Sequence, residues 1–242
     1  MTVIEFRNVC KIYRKHGGQR LLREHLSDWF GRNPEKDFYA LKNVSFSIQR
    51  GERVAIIGRN GAGKSTTLSL IARLSSPERG SVKISGKIAA LLELGSGFHP
   101  DLTGIENIKL NASLLGFSRK RTFALMDQIL EFADIGDFVR EPLRTFSTGM
   151  IMRLAFSVAV NLDPDVLITD EILAVGDAAF QKKCIERISE LWKSGKTLVS
   201  VSHGEMIHKL CDRAIWLNHG QLVMDGDAAE VLKAYGETQT GC

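Results

Sequence analysis

The pattern of apolar and polar residues predicts strands that alternate with helices. Val44, Phe46 and Ile48 are separated by polar residues, which is the period of a half-buried strand. Three continuous apolar runs are typical of strands buried in a parallel sheet, and they lie at 54–58, 165–170 and 197–203. Together these segments predict the sheet of an α/β fold.

A helix is predicted between the last two runs. Apolar side chains recur there at helical spacing until Gly195 ends the pattern, at Phe180, Ile185, Ile188, Leu191 and Trp192. A strand, a helix and a strand in this order predict a right-handed crossover in a parallel sheet.

Two further segments, one from about 100 to about 160 and one at 213–235, predict additional helices and a hairpin. Residues from about 100 to about 160 are mainly helical in pattern and predict a helical subdomain inserted into the core. Residues 213–235 predict a hairpin that turns at 218–220, followed by a helix with Asp227 near its N-cap. We expect residues 1–242 to form one domain with subdomains.

Composition and charge narrow the class of protein. The formal net charge is only +4, so no general field attracts nucleic acid, and we expect no nucleic-acid partner. The cysteines are far apart in sequence, which predicts neither a disulfide framework nor a zinc site and favours a reducing, cytosolic compartment. No run of about eighteen apolar residues occurs, so we expect the chain not to cross a membrane by itself.

Residues 58–66, GRNGAGKST, match the phosphate-binding pattern G-x-x-x-x-G-K-[ST]. Gly58, Gly61 and Gly63 allow the backbone to curl so that its N–H groups point inward. The helix predicted behind the loop, with Leu68, Ile71 and Leu74 on one side, adds partial positive charge under the phosphates. The alternative is a flexible glycine-rich turn before a helix.

The polar residues of this loop indicate the phosphates of a nucleotide and Mg²⁺ as ligands. Lys64 can reach the β- and γ-phosphates, and the Ser65 hydroxyl can ligate Mg²⁺. Asn60 and Thr66 can add further contacts.

Two other strands end in residues suited to phosphate chemistry. Asp170 follows an apolar run and can hold Mg²⁺ through water, while Glu171 beside it can orient or deprotonate the attacking water. His203 ends a third core strand at the same carboxyl edge and can contact the γ-phosphate. The alternatives are acidic residues that simply close a strand, and a structural histidine.

The segment Ser147-Thr148-Gly149-Met150 resembles the signature motif of the ATP-binding cassette (ABC) ATPases. The usual form of that motif is L-S-G-G-Q, and here Phe146, Thr148 and Met150 depart from it. The resemblance covers essentially the whole chain. It implies a P-loop NTPase (RecA-like) core with a mainly parallel sheet, an N-terminal antiparallel β subdomain and an inserted helical subdomain.

The same resemblance assigns further residues. Tyr13 occupies the place of the aromatic residue that stacks on adenine, although a buried strand tyrosine is the alternative. AVGD resembles the D-loop and ends in Asp177, and His203 corresponds to the switch histidine. The family's usual glutamine before the helical subdomain is missing, because Leu94 falls at its place with Glu93 adjacent.

The resemblance also implies a second copy of the chain as partner. In such ATPases the signature serine and glycine meet the γ-phosphate bound by the other chain. Two chains would therefore close head-to-tail around two ATP molecules, with Ser147 and Gly149 acting in trans. Hydrolysis promoted by Glu171 would then reopen the homodimer.

Within the family, LLELGSGFHPDLTGIENI, the STGM signature and DEILAVGDAAFQKKC resemble the ATPase subunits of bacterial polysaccharide exporters of the Wzt type. These serve O-antigen, capsule and teichoic acid. The resemblance implies an integral membrane permease as partner, a lipid-linked glycan as indirect cargo, and a peripheral location at the cytoplasmic face of the inner membrane. The alternatives are a soluble ABC ATPase, an exporter of another substrate and a P-loop small-molecule kinase.

An insertion at about 17–38 predicts a short amphipathic helix. One side carries Leu21, Leu22, Leu26, Trp29 and Phe30, and the other carries Arg20, Arg23, His25 and Asp28. Such a helix can touch the membrane partner or lipid head groups, or it can fold onto its own core.

Overall fold

The computed structural model describes residues 1–14, 37–91, 95, 97–170, 176–201 and 211–240. The strands within these ranges are β1 Thr2–Arg14, β2 Asp37–Gln49, β3 Arg53–Ile57, β4 Arg79–Ile84, β5 Ile88–Ala90, β6 Val166–Asp170, β7 Thr197–Val201, β8 Arg213–Asn218 and β9 Gln221–Asp227. The α-helices are α1 Lys64–Ile71, α2 Gly104–Leu114, α3 Arg119–Ala124, α4 Met126–Ala133, α5 Thr148–Asn161, α6 Ala178–Lys193 and α7 Ala228–Thr240.

Two sheets form the body of the protein. Three strands form an antiparallel sheet in the order β2-β1-β4. Six strands form the second sheet in the order β5-β6-β7-β3-β8-β9, and all neighbours in it are parallel except the β8–β9 hairpin. The predicted α/β fold class is confirmed.

Four helices, α2 to α5, lie between residues 104 and 161 with two short 3-10 helices, Gly136–Arg140 and Leu143–Thr145. Their buried side chains form a hydrophobic cluster of their own that includes Ile108, Ile129 and Leu143. Helix α5 joins this cluster to the main core, because Leu154 packs into it while Phe156 packs against the parallel sheet. The helical segment is thus anchored to the sheet through α5.

The predicted helix after residues 58–66, hereafter the P-loop, is shorter than its apolar pattern indicated. Leu68 and Ile71 are fully buried, but Leu74 is 64% exposed and lies beyond the end of the helix, so its predicted place on the same side of the helix is wrong. The helix ends at Ile71, and Arg73 has a φ of 60°, which turns the chain before Leu74.

The buried side of α6 also differs from the prediction. Phe180, Ile188 and Leu191 are buried as predicted, whereas Ile185 is 41% exposed and Cys184 is fully buried. Residues 180, 184, 188 and 191 follow the helical repeat, so the small Cys184, and not its neighbour Ile185, occupies the buried position.

The C-terminal hairpin and helix follow the prediction. His219 and Gly220 both have positive φ, 46° and 75°, as a tight two-residue hairpin turn requires. Asp227 Oδ1 accepts hydrogen bonds from the amides of Ala229 and Glu230 at 2.9 and 3.3 Å, which confirms its predicted capping role.

The described cysteines and helices bear on two predictions, namely that the chain has no disulfide framework and that it does not cross a membrane by itself. The cysteines in the described ranges, Cys10, Cys184 and Cys211, are all free thiols. Among the helices of these ranges, none combines the length and the apolar character needed to cross a bilayer.

Candidate functional site

The loop 58–63 joins the end of β3 to the start of α1 in a tightly curved path. Gly58, Gly61 and Gly63 have φ values of 147°, 80° and 104°, which side chains rarely allow. The backbone therefore curls here as the glycine pattern predicts.

Two of these glycines lie directly against other backbone segments. A Cβ atom on Gly58 would come within 2.2 Å of the Leu217 carbonyl oxygen, and one on Gly63 within 2.6 Å of the Ala40 carbonyl oxygen. A flexible turn would not be confined in this way, so the structure argues against the flexible-turn alternative.

The hairpin turn between β8 and β9 braces the same loop. The Gly220 amide donates to the Ala62 carbonyl at 3.0 Å, and the Gly220 carbonyl accepts from the Lys42 amide at 2.7 Å. This support is not predicted from the sequence, although a glycine directly after His219 is the kind of residue that allows two backbone segments to approach closely.

Lys64 brings its positive charge into the curve of the loop. Its side chain is buried, and its Nζ donates to the carbonyls of Gly58 and Arg59 at 2.6 and 3.1 Å. The first turn of α1 carries no acidic residue, and its N-cap is Gly63. Lysine and helix terminus together favour a bound anion such as a phosphate.

The other predicted residues of this loop differ in exposure. Asn60, Gly61 and Ser65 are exposed and Thr66 is half-buried, so their polar groups are accessible to a ligand. Thr67 is buried instead and donates through Oγ1 to the Gly63 carbonyl at 2.9 Å, which supports the loop from inside.

The strand register brings Asp170 to the same edge of the sheet. The backbone of Asp170 pairs with Val201 of β7, and Val201 pairs with Ile56 of β3, two residues before Gly58. Two strand spacings separate Asp170 from Ile56, which is about 10 Å. Glu171, His203, Glu93 and Leu94 lie outside the described residues, as do residues 17–36 of the insertion.

The signature residues form an exposed turn at the start of α5. Ser147 is the N-cap, and its Oγ accepts from the Met150 amide at 3.2 Å. Ser147, Thr148 and Gly149, hereafter the signature face, are all exposed. Phe146, which stands at the place of the family's leucine, is buried in the hydrophobic cluster of the helical segment.

The signature face opens onto a cleft of about 620 Å³. Within the described residues, its lining comes from 134–135, 147–150, 152–153 and 176–177, which are segments outside the P-loop. The chain therefore carries the P-loop and the signature face as two separate sites.

Asp177 lies at the same cleft and caps α6. Its Oδ1 accepts from the Phe180 amide at 2.9 Å, and its Oδ2 pairs with Arg153 Nη2 at 2.7 Å. The Phe180 amide, followed by the Arg153 guanidinium, holds the pKa of the Asp177 carboxyl below its ordinary value. The carboxylate is thus ionised at neutral pH.

Tyr13 is 45% exposed, so the alternative of a buried strand tyrosine is wrong. It pairs across the strands with Phe38, which is 46% exposed, and Lys11 Nζ lies 5.4 Å from its ring centroid. An exposed ring of this kind can stack on a planar ligand.

Comparison with known proteins gives one consistent result. Residues 41–174 match the family described as ABC transporter. The chain is 45% identical over 238 residues to the O-antigen export system ATP-binding protein RfbB of Klebsiella pneumoniae, covering 96% of this chain and 97% of the relative. It is 42% identical to the teichoic acids export ATP-binding protein TagH of Bacillus cereus, covering 96% of this chain and 42% of that relative.

Solved structures support the same grouping. The dimeric post-hydrolysis state of the ATP-binding cassette MJ0796, bound to ADP and Pi, aligns with a TM-score of 0.70 at 25% identity. The alignment covers 93% of this chain and 98% of that one. A further dimeric structure of MJ0796, described as a bacterial ABC transporter cassette, aligns with a TM-score of 0.69 at 26% identity, with the same coverage.

Proposed function

Because this chain belongs to the ABC transporter family and is an ATPase, we propose that it is the motor subunit of an exporter of a lipid-linked polysaccharide. The cargo would be of the O-antigen or capsule type. The observation that carries the proposal is the 45% identity to an O-antigen export ATP-binding protein over nearly the full length of both chains.

The P-loop would bind the triphosphate. Three observations support this role. Lys64 is buried, and Gly58 and Gly63 lie where there is no room for a Cβ atom. The first turn of α1 contains no acidic residue. Gly61, Asn60 and Thr66 would add contacts, and the exposed Tyr13 ring would stack on adenine.

Ser65 and Asp170 are the residues that would hold Mg²⁺. The Ser65 hydroxyl is exposed at the start of α1, and the Asp170 backbone lies at the carboxyl edge of the same sheet. The ion, when bound with ATP, neutralises charge that develops on the phosphates. Glu171 would orient and deprotonate the attacking water, and His203 would contact the γ-phosphate.

A second copy of the chain would complete the site. The signature face and Asp177 line an open cleft away from the P-loop, as expected of groups that meet a nucleotide held by another chain. Dimeric solved relatives of the same fold support this arrangement. Ser147, Gly149 and Asp177 would therefore act in trans in a head-to-tail homodimer.

An integral membrane permease would carry the glycan path. Relatives are described as ATP-binding proteins of export systems, which indicates a separate membrane component. The chain would lie peripherally at the cytoplasmic face of that membrane, where ATP is available. Nucleic acid has no role in the proposal.

The test is to inactivate the chain in its own cells by Lys64→Ala, with Lys83→Ala at an exposed position of β4 as control. We expect the first variant alone to accumulate lipid-linked polymer inside the cell and to lose surface glycan. Purification of the chain should recover a hydrophobic membrane subunit. Normal surface glycan, or recovery with ribosomes instead, would contradict the proposal.

A further inference from the structure

Arg153 joins three elements around the cleft that contains the signature face. It lies on α5, one turn after Gly149, and its side chain is 20% exposed. Its Nη2 pairs with Asp177 Oδ2 at 2.7 Å, and its Nη1 donates to the Asp134 carbonyl at 3.2 Å. Its guanidinium also lies 4.8 Å from the ring centroid of Phe180.

These partners belong to different parts of the fold. Asp134 is the C-cap of α4, with a φ of 50°, and so ends a helix of the helical segment. Asp177 is the N-cap of α6, which packs on the parallel sheet. A planar guanidinium with five donors can serve both directions at once, which a lysine ammonium on its flexible stem does less well.

The ion pair contributes little to the stability of the fold. The Asp177 side chain is 62% exposed, and pairs with a partner this accessible are screened by solvent. The ion pair instead affects position, because it ties Asp177 to α5, the helix whose first residues form the signature face.

We propose that Arg153 is a positioning residue that holds Asp177 and the signature face in one fixed arrangement, so that both reach the nucleotide of the partner copy together. This inference rests on the proposed two-copy site. Arg153 itself acts through Asp177 and through the orientation of α5.

Lys183 supplies a matched control. Its Nζ donates to the carbonyls of Glu131 and Phe132, both at 3.1 Å, and lies 4.6 Å from the Phe132 ring centroid. It is therefore another cation that ties the end of α4 to the core. In the described part of the chain its contacts are to α4, away from Asp177.

The experiment measures ATP-driven dimerisation by sedimentation in the Glu171→Gln chain. Arg153→Met, Asp177→Asn, the double variant and Lys183→Met are compared, with binding of a fluorescent ATP analogue to the monomer measured in parallel. Asparagine retains the helix cap, so Asp177→Asn removes mainly the charge. Thermal unfolding checks that each variant is folded.

We expect Arg153→Met to weaken dimerisation about tenfold while ATP binding to the monomer is unchanged. The double variant should be no weaker than Arg153→Met alone, because the two residues act as one unit. In the chain with native Glu171, Arg153→Met should raise the protein concentration needed for half-maximal turnover and leave the rate at saturating protein nearly unchanged.

Three outcomes would overturn the role of Arg153: an unchanged dimer in Arg153→Met, independent effects of the two substitutions, or equal weakening by Lys183→Met. If the Glu171→Gln chain itself stays monomeric with ATP, the two-copy site fails, and the inference fails with it. The two failures are therefore distinguishable.

Discussion

The P-loop and the signature face are both glycine-containing turns that lead into a helix, yet they are built in opposite ways. In the P-loop, nearby backbone oxygens leave no room for a Cβ atom on Gly58 or Gly63, and the cation of Lys64 is buried among carbonyls. In the signature face, a Cβ on Gly149 would meet only Ser147 Oγ, at 3.8 Å, among the described residues. One turn is enclosed by its own chain, and the other is open.

This difference indicates what each turn requires. The enclosed loop places the Lys64 cation at the start of a helix, so a nucleotide can bind to it in a single chain. The open turn presents the N-terminal amides of α5 to another molecule that contacts this surface. Two copies arranged head-to-tail would satisfy both turns.

The largest expected effect comes from Glu171→Gln. This substitution should keep two copies paired, with the P-loop of each copy against the signature face of the other. Glutamine can still position water but cannot accept its proton, so turnover should fall about a hundredfold to ten-thousandfold. ATP should then trap a dimer, which size-exclusion chromatography and phosphate release would detect. Glu186→Gln, at an exposed position of α6, is the control, and a monomer at all ATP concentrations would refute the prediction.

A mixing experiment separates the two turns directly. Lys64→Ala removes the buried cation of the P-loop, and Gly149→Asp places a carboxylate where a phosphate would approach. Each variant alone should lose about a hundredfold in turnover. Random pairing makes half of the dimers mixed, each with one intact site, so the mixture should recover about a quarter of the native rate. No recovery on mixing would count against sites shared between copies.

The same substitution at two glycines tests the enclosed and open turns for stability. Gly63→Ala meets a φ of 104° and a carbonyl at 2.6 Å, so the free energy of unfolding should fall by about 2 kcal/mol. Gly149→Ala lies in open space in the first turn of α5 and should leave that free energy unchanged or raise it by up to about 1 kcal/mol. Denaturant unfolding measures both, and equal losses would show that the turns do not differ in this way.

Tyr13→Ala should have the smallest effect. Loss of a stacking ring should raise the KM for ATP about fivefold to tenfold, with little change in kcat. Tyr13→Phe keeps the ring and should behave as the native chain. Steady-state kinetics with ATP and GTP would check this, and an unchanged KM in Tyr13→Ala would remove the residue from the site.

The elements that the sequence predicts correctly are those in which local pattern and burial agree. The buried strand β3 and the capped helix after Asp227 follow from short-range periodicity and turn chemistry. The prediction is wrong where a chain turn or a small side chain breaks the pattern, as at the exposed Leu74 and Ile185. Apolar spacing alone does not show that the first helix ends before Leu74. It also does not show that Cys184, rather than Ile185, is the buried residue.

The glycine-rich loop 58–66, its lysine and the signature turn could be recognised from the sequence alone, because each motif consists of residues close together in the chain. The brace from Gly220 and the link from Arg153 to Asp134 and Asp177 could not, because they join residues that are 19 or more positions apart. Only the packing of the sheet and helices decides which distant groups meet. The sequence by itself therefore determined which motifs are present and in what order. The tertiary structure decided that the P-loop is enclosed and that the signature face is open.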